Sequence, residues 1–146
     1  MRLTQFTDFG MRALVILADR EGEVMSTAAI AESLDVSVHH MAKVLQALGA
    51  AGFVRSLRGK QGGVTLARPA AAIRVGAVVR ALEADQPLVE CCRSDGGACV
   101  LTPACRLRSI FIAAEQAFLA HLDRVTLADC RIPDLARWLM PAYVGK

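Results

Sequence analysis

The chain has 146 residues, 54% hydrophobic but only 5% aromatic, which suits one domain with an attached arm and favours helix over sheet. No apolar run approaches the roughly 20 residues of a membrane span, and Met1-Arg2 opens onto mixed residues, so membrane and secretory classes are set aside and a cytoplasmic chain is expected. The formal charge is a modest +3, and five cysteines, an odd number without secretory features, exclude a disulfide framework and imply reduced thiols.

Leu3, Phe6, Ala13, Leu14 and Leu17 recur at helical spacing and predict a first helix running to about Arg20, ended by Glu21-Gly22-Glu23. Ser26 or Thr27 caps a short helix through Leu34, with Ile30 and Leu34 on one face. Asp35-Val36-Ser37 makes a tight connection. Ser37 then caps a longer helix that carries Met41, Val44, Leu45 and Leu48 and stops at Gly52. Helix, short turn and capped helix form a helix-turn-helix pattern. Phe53 to Leu57 alternates like a strand and Val64-Thr65-Leu66 like its partner. Between them lies the basic turn Arg58-Gly59-Lys60-Gln61-Gly62-Gly63, so the pair reads as a wing. The fold class expected is mainly α with a small β-wing, a winged helix-turn-helix.

Pro69 and a run of small residues lead to another helix, with Val75, Val78, Val79 and Leu82 inward. From about Ala84 to Thr102 turn residues and cysteines replace periodicity, and Pro103 restarts order. Leu107, Ile110, Phe111, Ala114, Phe118, His121, Leu122 and Val125 trace an apolar stripe at three-and-four spacing over about five turns. A helix outside the compact winged domain has no core of its own for that stripe, so a twin helix from a second subunit is expected to cover it. Thr126 to Met140 reads as short helices broken at Pro133.

Charge distribution points to nucleic acid. From Val36 to Leu82 there is no Asp or Glu, while Lys43, Arg55, Arg58, Lys60, Arg68, Arg74 and Arg80 all fall in that stretch. A solvated basic face usually mixes both signs, whereas a single-sign field suits a polyanion. On the helix that begins at Ser37, the residues Ser37, His39 and His40 are expected at base edges or phosphates, with Lys43 one turn on at a phosphate. His39 and His40 point about 100° apart on a helix, which disfavours a shared metal. Arg58 and Lys60 on the wing are expected in or beside the minor groove. Arg12 on the first helix is either a backbone contact or a solvated charge. A two-fold dimer predicts an inverted-repeat double-stranded operator with half-sites about one helical turn apart.

Cys91, Cys99 and Cys105 share one short glycine-bearing segment, spaced Cys91-x7-Cys99-x5-Cys105. A reduced chain gathers thiols this way to hold a metal, to form a redox pair, or both. The spacing is looser than compact ferredoxin runs and looser than paired zinc ligands, so spacing alone selects neither. Three thiolates also leave a four-coordinate site one ligand short. Cys92 is an extra thiol beside Cys91, and Cys130 reads as a small buried hydrophobe. No C-x-x-C and no cysteine with a poised base is present, so an enzyme is not expected.

Taken together, LTQFTDFGMRAL at the start, RGKQGGVTL in the wing, LVEC…C…TPACRL in the loop and TLAD at Thr126 to Asp129 are similar to the IscR-like winged-helix regulators. Within them they resemble the nitric-oxide-sensing repressors of the NsrR type, from Leu3 to about Asp129. The resemblance implies a 4Fe–4S cluster on Cys91, Cys99 and Cys105, with 2Fe–2S as the alternative. It implies Asp8, donated by the other subunit, as the fourth ligand; without the resemblance, Asp8 is simply an acidic residue in the first turn of a helix. It further implies a homodimer that represses nitric oxide detoxification genes and releases DNA when nitric oxide attacks the cluster. IscR-type members carry a histidine three positions after the third cysteine, where this chain has Arg108, which argues against that subtype. Alignment on LVEC selects Cys91 over Cys92. The organisation expected is a winged helix-turn-helix over 1–83 (helix-turn-helix about 28–51, wing about 53–67), a cluster loop over 84–105, and a dimerisation helix with C-terminal helices over 106–146. A redox- or iron-sensing 2Fe–2S regulator and a zinc-stabilised structural DNA-binding protein are the rival readings.

Overall fold

The computed structural model describes residues 3–59, 62–84, 86–93, 95, 97–101 and 103–139. Lys60, expected on the wing, lies outside them. Among the described residues five α-helices and a two-stranded sheet follow in chain order: α1 Gln5–Asp19, α2 Thr27–Ser33, α3 Val38–Ala50, β1 Val54–Leu57, β2 Gly63–Leu66, α4 Val75–Leu82 and α5 Arg106–Leu122.

Each early helix starts on a hydroxyl that satisfies an otherwise unpaired N–H. Thr4 Oγ1 accepts from the Thr7 N–H, Ser26 Oγ from Ala29 and Ser37 Oγ from His40, at 3.1–3.2 Å. Thr4 is held in turn: its N–H and hydroxyl both donate to the Glu83 carboxylate at 2.8 Å, tying the start of α1 to the end of α4. Asp35 turns the chain between α2 and α3 with φ 52°. At the end of α3, Phe53 N–H reaches the Leu48 carbonyl and Gly52 N–H the Gly49 carbonyl, which closes the helix by a paired reverse turn before β1 begins.

The inward faces of α1, α3 and α4 meet in one core. Leu14, Leu17, Ile30, Met41, Val44, Leu48, Ile73 and Val78 are almost fully buried there. β1 and β2 pair antiparallel with Val54 opposite Leu66 and Leu57 opposite Gly63. Met25 adds a third rail, exchanging both backbone hydrogen bonds with Val64 at 2.8 and 2.9 Å. The base of the wing is therefore fixed to the segment that precedes α2.

The chain beyond α5 returns to this same core. Val75 N–H donates to the Val125 carbonyl and Leu127 N–H to the Ile73 carbonyl, and Leu127 and Leu135 are buried among the residues of α1 to α4. Arg131 donates to the Ala18 carbonyl at 3.0 Å and pairs with Glu21, whose other oxygen accepts from the Ala70 N–H. Among its described residues this segment forms single 3-10 turns, Ala128–Cys130 and Leu135–Arg137.

α5 differs from the rest. None of its residues is buried; Leu107 is 57% and Ile110 59% exposed, with Phe111 and Ala114 also outward. Ile112, Glu115, Leu119 and Leu122 are half-buried on a face turned about 100° from that stripe. Contact with α4 is close because Gly76 has no side chain: a Cβ there would overlap Asp123 Oδ1 and stand 2.9 Å from the Leu119 carbonyl. Arg80 seals the joint with a two-pronged pair to Asp123 at 2.5 and 2.7 Å. This hydrogen bond holds the Asp123 carboxyl below the usual range and raises the guanidinium.

Candidate nucleic-acid interface and cysteine loop

The outward side of α3 follows from its buried side. With Met41, Val44, Leu45 and Leu48 inward, the residues left in solvent are Val38, His39, Ala42, Lys43 and Gln46, followed by Gly49 and Ala50 at the far end. Ser37 is exposed, but its Oγ is occupied as the helix cap. His40 does not share the outward face. Its ring packs edge-on against Phe9 of α1, centroids 5.4 Å apart, so its place is the α1–α3 contact. Val38, Ala42 and Gln46 were not singled out from sequence; stepping three and four residues on from His39 finds Ala42, Lys43 and Gln46.

Arg55 and Arg58 are exposed on the wing, and the Arg68 guanidinium lies over the Phe53 ring at 5.1 Å. The acid-free stretch is not uniformly available, because Arg80 faces Asp123 from α5. Its free positive charge among the described residues concentrates on α3 and the wing. Arg12 is half-exposed and paired with Asp8 one turn earlier at 2.7 Å. Asp8 thus meets its own subunit's arginine, and it also lines an open surface concavity of about 620 Å³ with Leu3, Thr4, Gln5 and Met11.

The cysteine segment folds around the start of α5. Glu90–Cys92 forms one 3-10 turn, in which Cys91 is buried with 7% exposure. Arg108, one turn into α5, donates to the Cys91 carbonyl at 2.7 Å. Gly97, at φ 60°, packs so tightly on the Glu90 carbonyl that a Cβ would overlap it, and the Ala98 N–H reaches the Glu90 carboxylate at 3.2 Å. Arg93 clasps Asp95 at 2.9 and 3.0 Å, and this bond, with the Gly97 N–H, lowers the Asp95 carboxyl to about 2. Cys105 is the N-cap residue of α5, without a side-chain cap bond. Cys91 is thus tied to the start of α5 through its carbonyl and Cys105 stands at its N-cap, while Cys99 is half-buried in the segment between them.

All five cysteines are free. Among the described residues, no three Cys, His, Asp or Glu side chains stand within reach of a single metal ion. The donor types suit an iron–sulfur group, since three free thiols lie in the one segment that leads into α5, but their side chains do not converge on one point in this structure. Cys92 does not share the burial of Cys91. It lines a cavity of about 410 Å³ with Glu83, Gln86, Arg93 and Glu115, and burial followed by the adjacent Cys91 pushes its thiol up. Cys130 is half-buried, with Sγ 3.5 Å from the Thr126 carbonyl, and burial raises its thiol too. Among the described residues no helix is long and apolar enough to cross a membrane.

Comparison with known proteins agrees with this architecture. The chain is similar to the oxidized form of Staphylococcus aureus CymR, with 27% identity over 89% of this chain and 95% of that one and a TM-score of 0.68. It is similar to CymR of B. subtilis, the global cysteine regulator, with 29% identity, 94% and 98% coverage and a TM-score of 0.69. T. potens IscR gives 27% identity, 89% and 85% coverage and a TM-score of 0.70. The family profile described as "Rrf2: Iron-dependent Transcriptional regulator" matches residues 3–131, and this chain belongs to the Rrf2 family of winged-helix, DNA-binding transcriptional regulators.

Proposed function

We propose that this regulator is a homodimeric repressor whose DNA affinity is set by an iron–sulfur cluster and relieved by nitric oxide. The observation that carries the reading is that Cys91, Cys99 and Cys105 are free thiols in the one segment leading into α5, with Cys105 as the helix N-cap and Arg108 bonded to the Cys91 carbonyl. When bound, a 4Fe–4S cluster supplies iron that reacts with nitric oxide, most readily where one ligand is a weak oxygen donor.

The chain's own residues do the rest. The three thiolates hold the cluster, and Asp8 of the second subunit is the proposed fourth ligand, which must exchange its pairing with Arg12 for that role. The exposed α5 stripe of Leu107, Ile110, Phe111 and Ala114 supports a second copy of the same helix as its cover. The α5–α4 joint at Gly76 and Arg80–Asp123 would carry a change at the loop into the winged half. His39 and Lys43 face an inverted-repeat operator, Ser37 and His40 support that helix as its cap and as its contact with α1, and Arg58 with Lys60 reaches the minor groove. Lowering DNA affinity 100-fold takes about 2.7 kcal/mol of coupling, within the range of natural switches.

A second reading has one observation in its favour. The thiols are free and do not stand within reach of one metal ion, and the CymR relatives are named for cysteine regulation and for an oxidized form. A thiol- or redox-sensing regulator of the same family, with or without a 2Fe–2S cluster, follows from that. Anaerobic titration of the purified protein with nitric oxide, read by visible absorbance and operator binding together, separates the two. A brown species that bleaches as DNA is released supports the first. A protein that stays colourless after anaerobic cluster reconstitution and holds DNA regardless of nitric oxide removes it.

A further inference from the structure

The first turns of α3 present an unusual surface for a nucleic-acid contact. Val38, the first helical residue, is 51% exposed, and Ala42 lies one turn on along the same edge, also exposed. Neither contributes to the core. The polar groups nearest to them are already engaged, Ser37 Oγ as the cap of α3 and the His40 ring against Phe9. What α3 offers at its leading end is therefore an apolar edge beside His39, with Lys43 and Gln46 farther along.

We propose that Val38 and Ala42 read the 5-methyl group of thymine in the major groove. The inference rests on the reading that α3 is the helix that enters the groove, and it names what that helix recognises there. Thymine alone among the four bases offers a methyl group on that edge, and small apolar side chains are its usual partners. Side chains four residues apart on a helix stand about 5–6 Å apart, while stacked bases rise 3.4 Å per step with a lateral offset from helical twist. Two consecutive thymines on one strand therefore fall within reach of the pair. His39 and Lys43, on the other side of the same face, lie toward the backbone of that groove. The recognised element is a thymine step in each half-site, placed symmetrically by the two-fold axis.

The test begins with selection of a preferred duplex from a random library by the full-length protein, purified without oxygen. Each thymine of the selected half-site is then replaced by deoxyuridine, which removes the methyl and leaves pairing and hydrogen bonds intact. At one or two adjacent positions per half-site affinity should fall about 4-fold, the worth of one buried methyl-sized group. Val38→Ser should bind thymine and deoxyuridine duplexes equally at the position that Val38 reads, and Ala42→Gly should do the same at its neighbour. Val38→Ser, at an exposed first-turn position, should unfold near the parent, whereas Ala42→Gly should unfold at a somewhat lower temperature from helix propensity alone and stay folded at the binding temperature. Sequence-selective binding that ignores every thymine-to-deoxyuridine change overturns the inference while leaving α3 as the reading helix. A deoxyuridine effect that survives unchanged in both variants also overturns it. Failure to enrich any sequence overturns the underlying reading, and this inference with it.

Discussion

Two glycines in two helices should respond in opposite directions to the same replacement. Gly49 and Gly76 both have ordinary helical backbones, and intrinsic propensity alone favours alanine at each by up to about 1 kcal/mol. At Gly49 a Cβ meets Val54 at 3.9 Å, an ordinary contact, so Gly49→Ala should stabilise by about 0.5–1 kcal/mol. At Gly76 the Cβ overlaps Asp123 Oδ1 and stands 2.9 Å from the Leu119 carbonyl, short of the ordinary contact distance of about 3.5 Å. The carboxylate must swing off Arg80, and the backbone of α5 must retreat as well. Overpacking of this kind costs about 1–3 kcal/mol and exceeds the propensity gain, which is small in the first turn of α4. Gly76→Ala should therefore destabilise by about 1–2 kcal/mol, read as a shift in urea midpoint at fixed protein concentration and unchanged slope. Asp123→Ala should cost less in the Gly76→Ala background than in the parent, since it removes one of the two colliding groups. If both glycine variants shift the midpoint upward, the close approach of α5 to α4 is not present in solution and the reasoning fails.

Other outcomes follow from the same contacts. Leu48→Ala, at a fully buried position where α3 meets α1, should cost about 2–5 kcal/mol in chemical denaturation. Glu83 is pushed up by burial but brought below its ordinary 4.5 by the hydrogen bonds from Thr7 and Thr4, and Asp123 sits below 3.8 because of Arg80. Carboxyls depressed in the folded state stabilise above their unfolded values, so unfolding scans should show stability lost as pH falls below about 4.5, and Glu83→Gln should flatten that loss. Lys43→Ala should weaken duplex binding alike across sequences and reduce the slope of log affinity against log salt by about 0.9, the mark of one lost phosphate contact. Cys91→Ala, Cys99→Ala and Cys105→Ala should each fail to take up colour on anaerobic reconstitution, whereas Cys130→Ala should retain it; equal uptake by all four would remove the cluster assignment.

The helices were legible because their signals are local. Ser26 and Ser37 cap where hydroxyls stand before apolar periodicity, and Met41, Val44, Leu45 and Leu48 alternate at three and four as an inward face must. The exposed α5 stripe was legible in part for the same reason: Leu107, Ile110, Phe111 and Ala114 repeat outward, whereas Phe118, Leu122 and Val125, expected on the same stripe, are half-buried. Contacts formed by single residues escaped. One bridged residue, Met25, carries no strand pattern, and Leu127 and Leu135 are isolated apolar positions in irregular chain, yet both return to the core. Arg108 illustrates the limit at the cysteine loop. Its residue type told only that no histidine stood there, whereas its bond to the Cys91 carbonyl depends on a backbone oxygen that every residue type possesses. Likewise the ring of His40 went to Phe9 because α1 crosses α3 there, a fact of packing that no local window contains.

The two ends of α5 are fastened very differently. The residues just past its last turn are welded to the winged half through Arg80–Asp123, the Val75–Val125 hydrogen bond and the bridge between Arg74 and Thr126. Its first turn meets the cysteine segment through the bond from Arg108 to the Cys91 carbonyl. Seventeen residues separate these ends, a rod of about 26 Å. Such a rod is a lever with its fulcrum on α4, and a shift of 1 Å at the cysteines tilts it by only about 2°. In the homodimer proposed above, matched to two half-sites by the angle between its halves, so small a rotation would be registered, because the opposite arm of each lever is the body that carries α3.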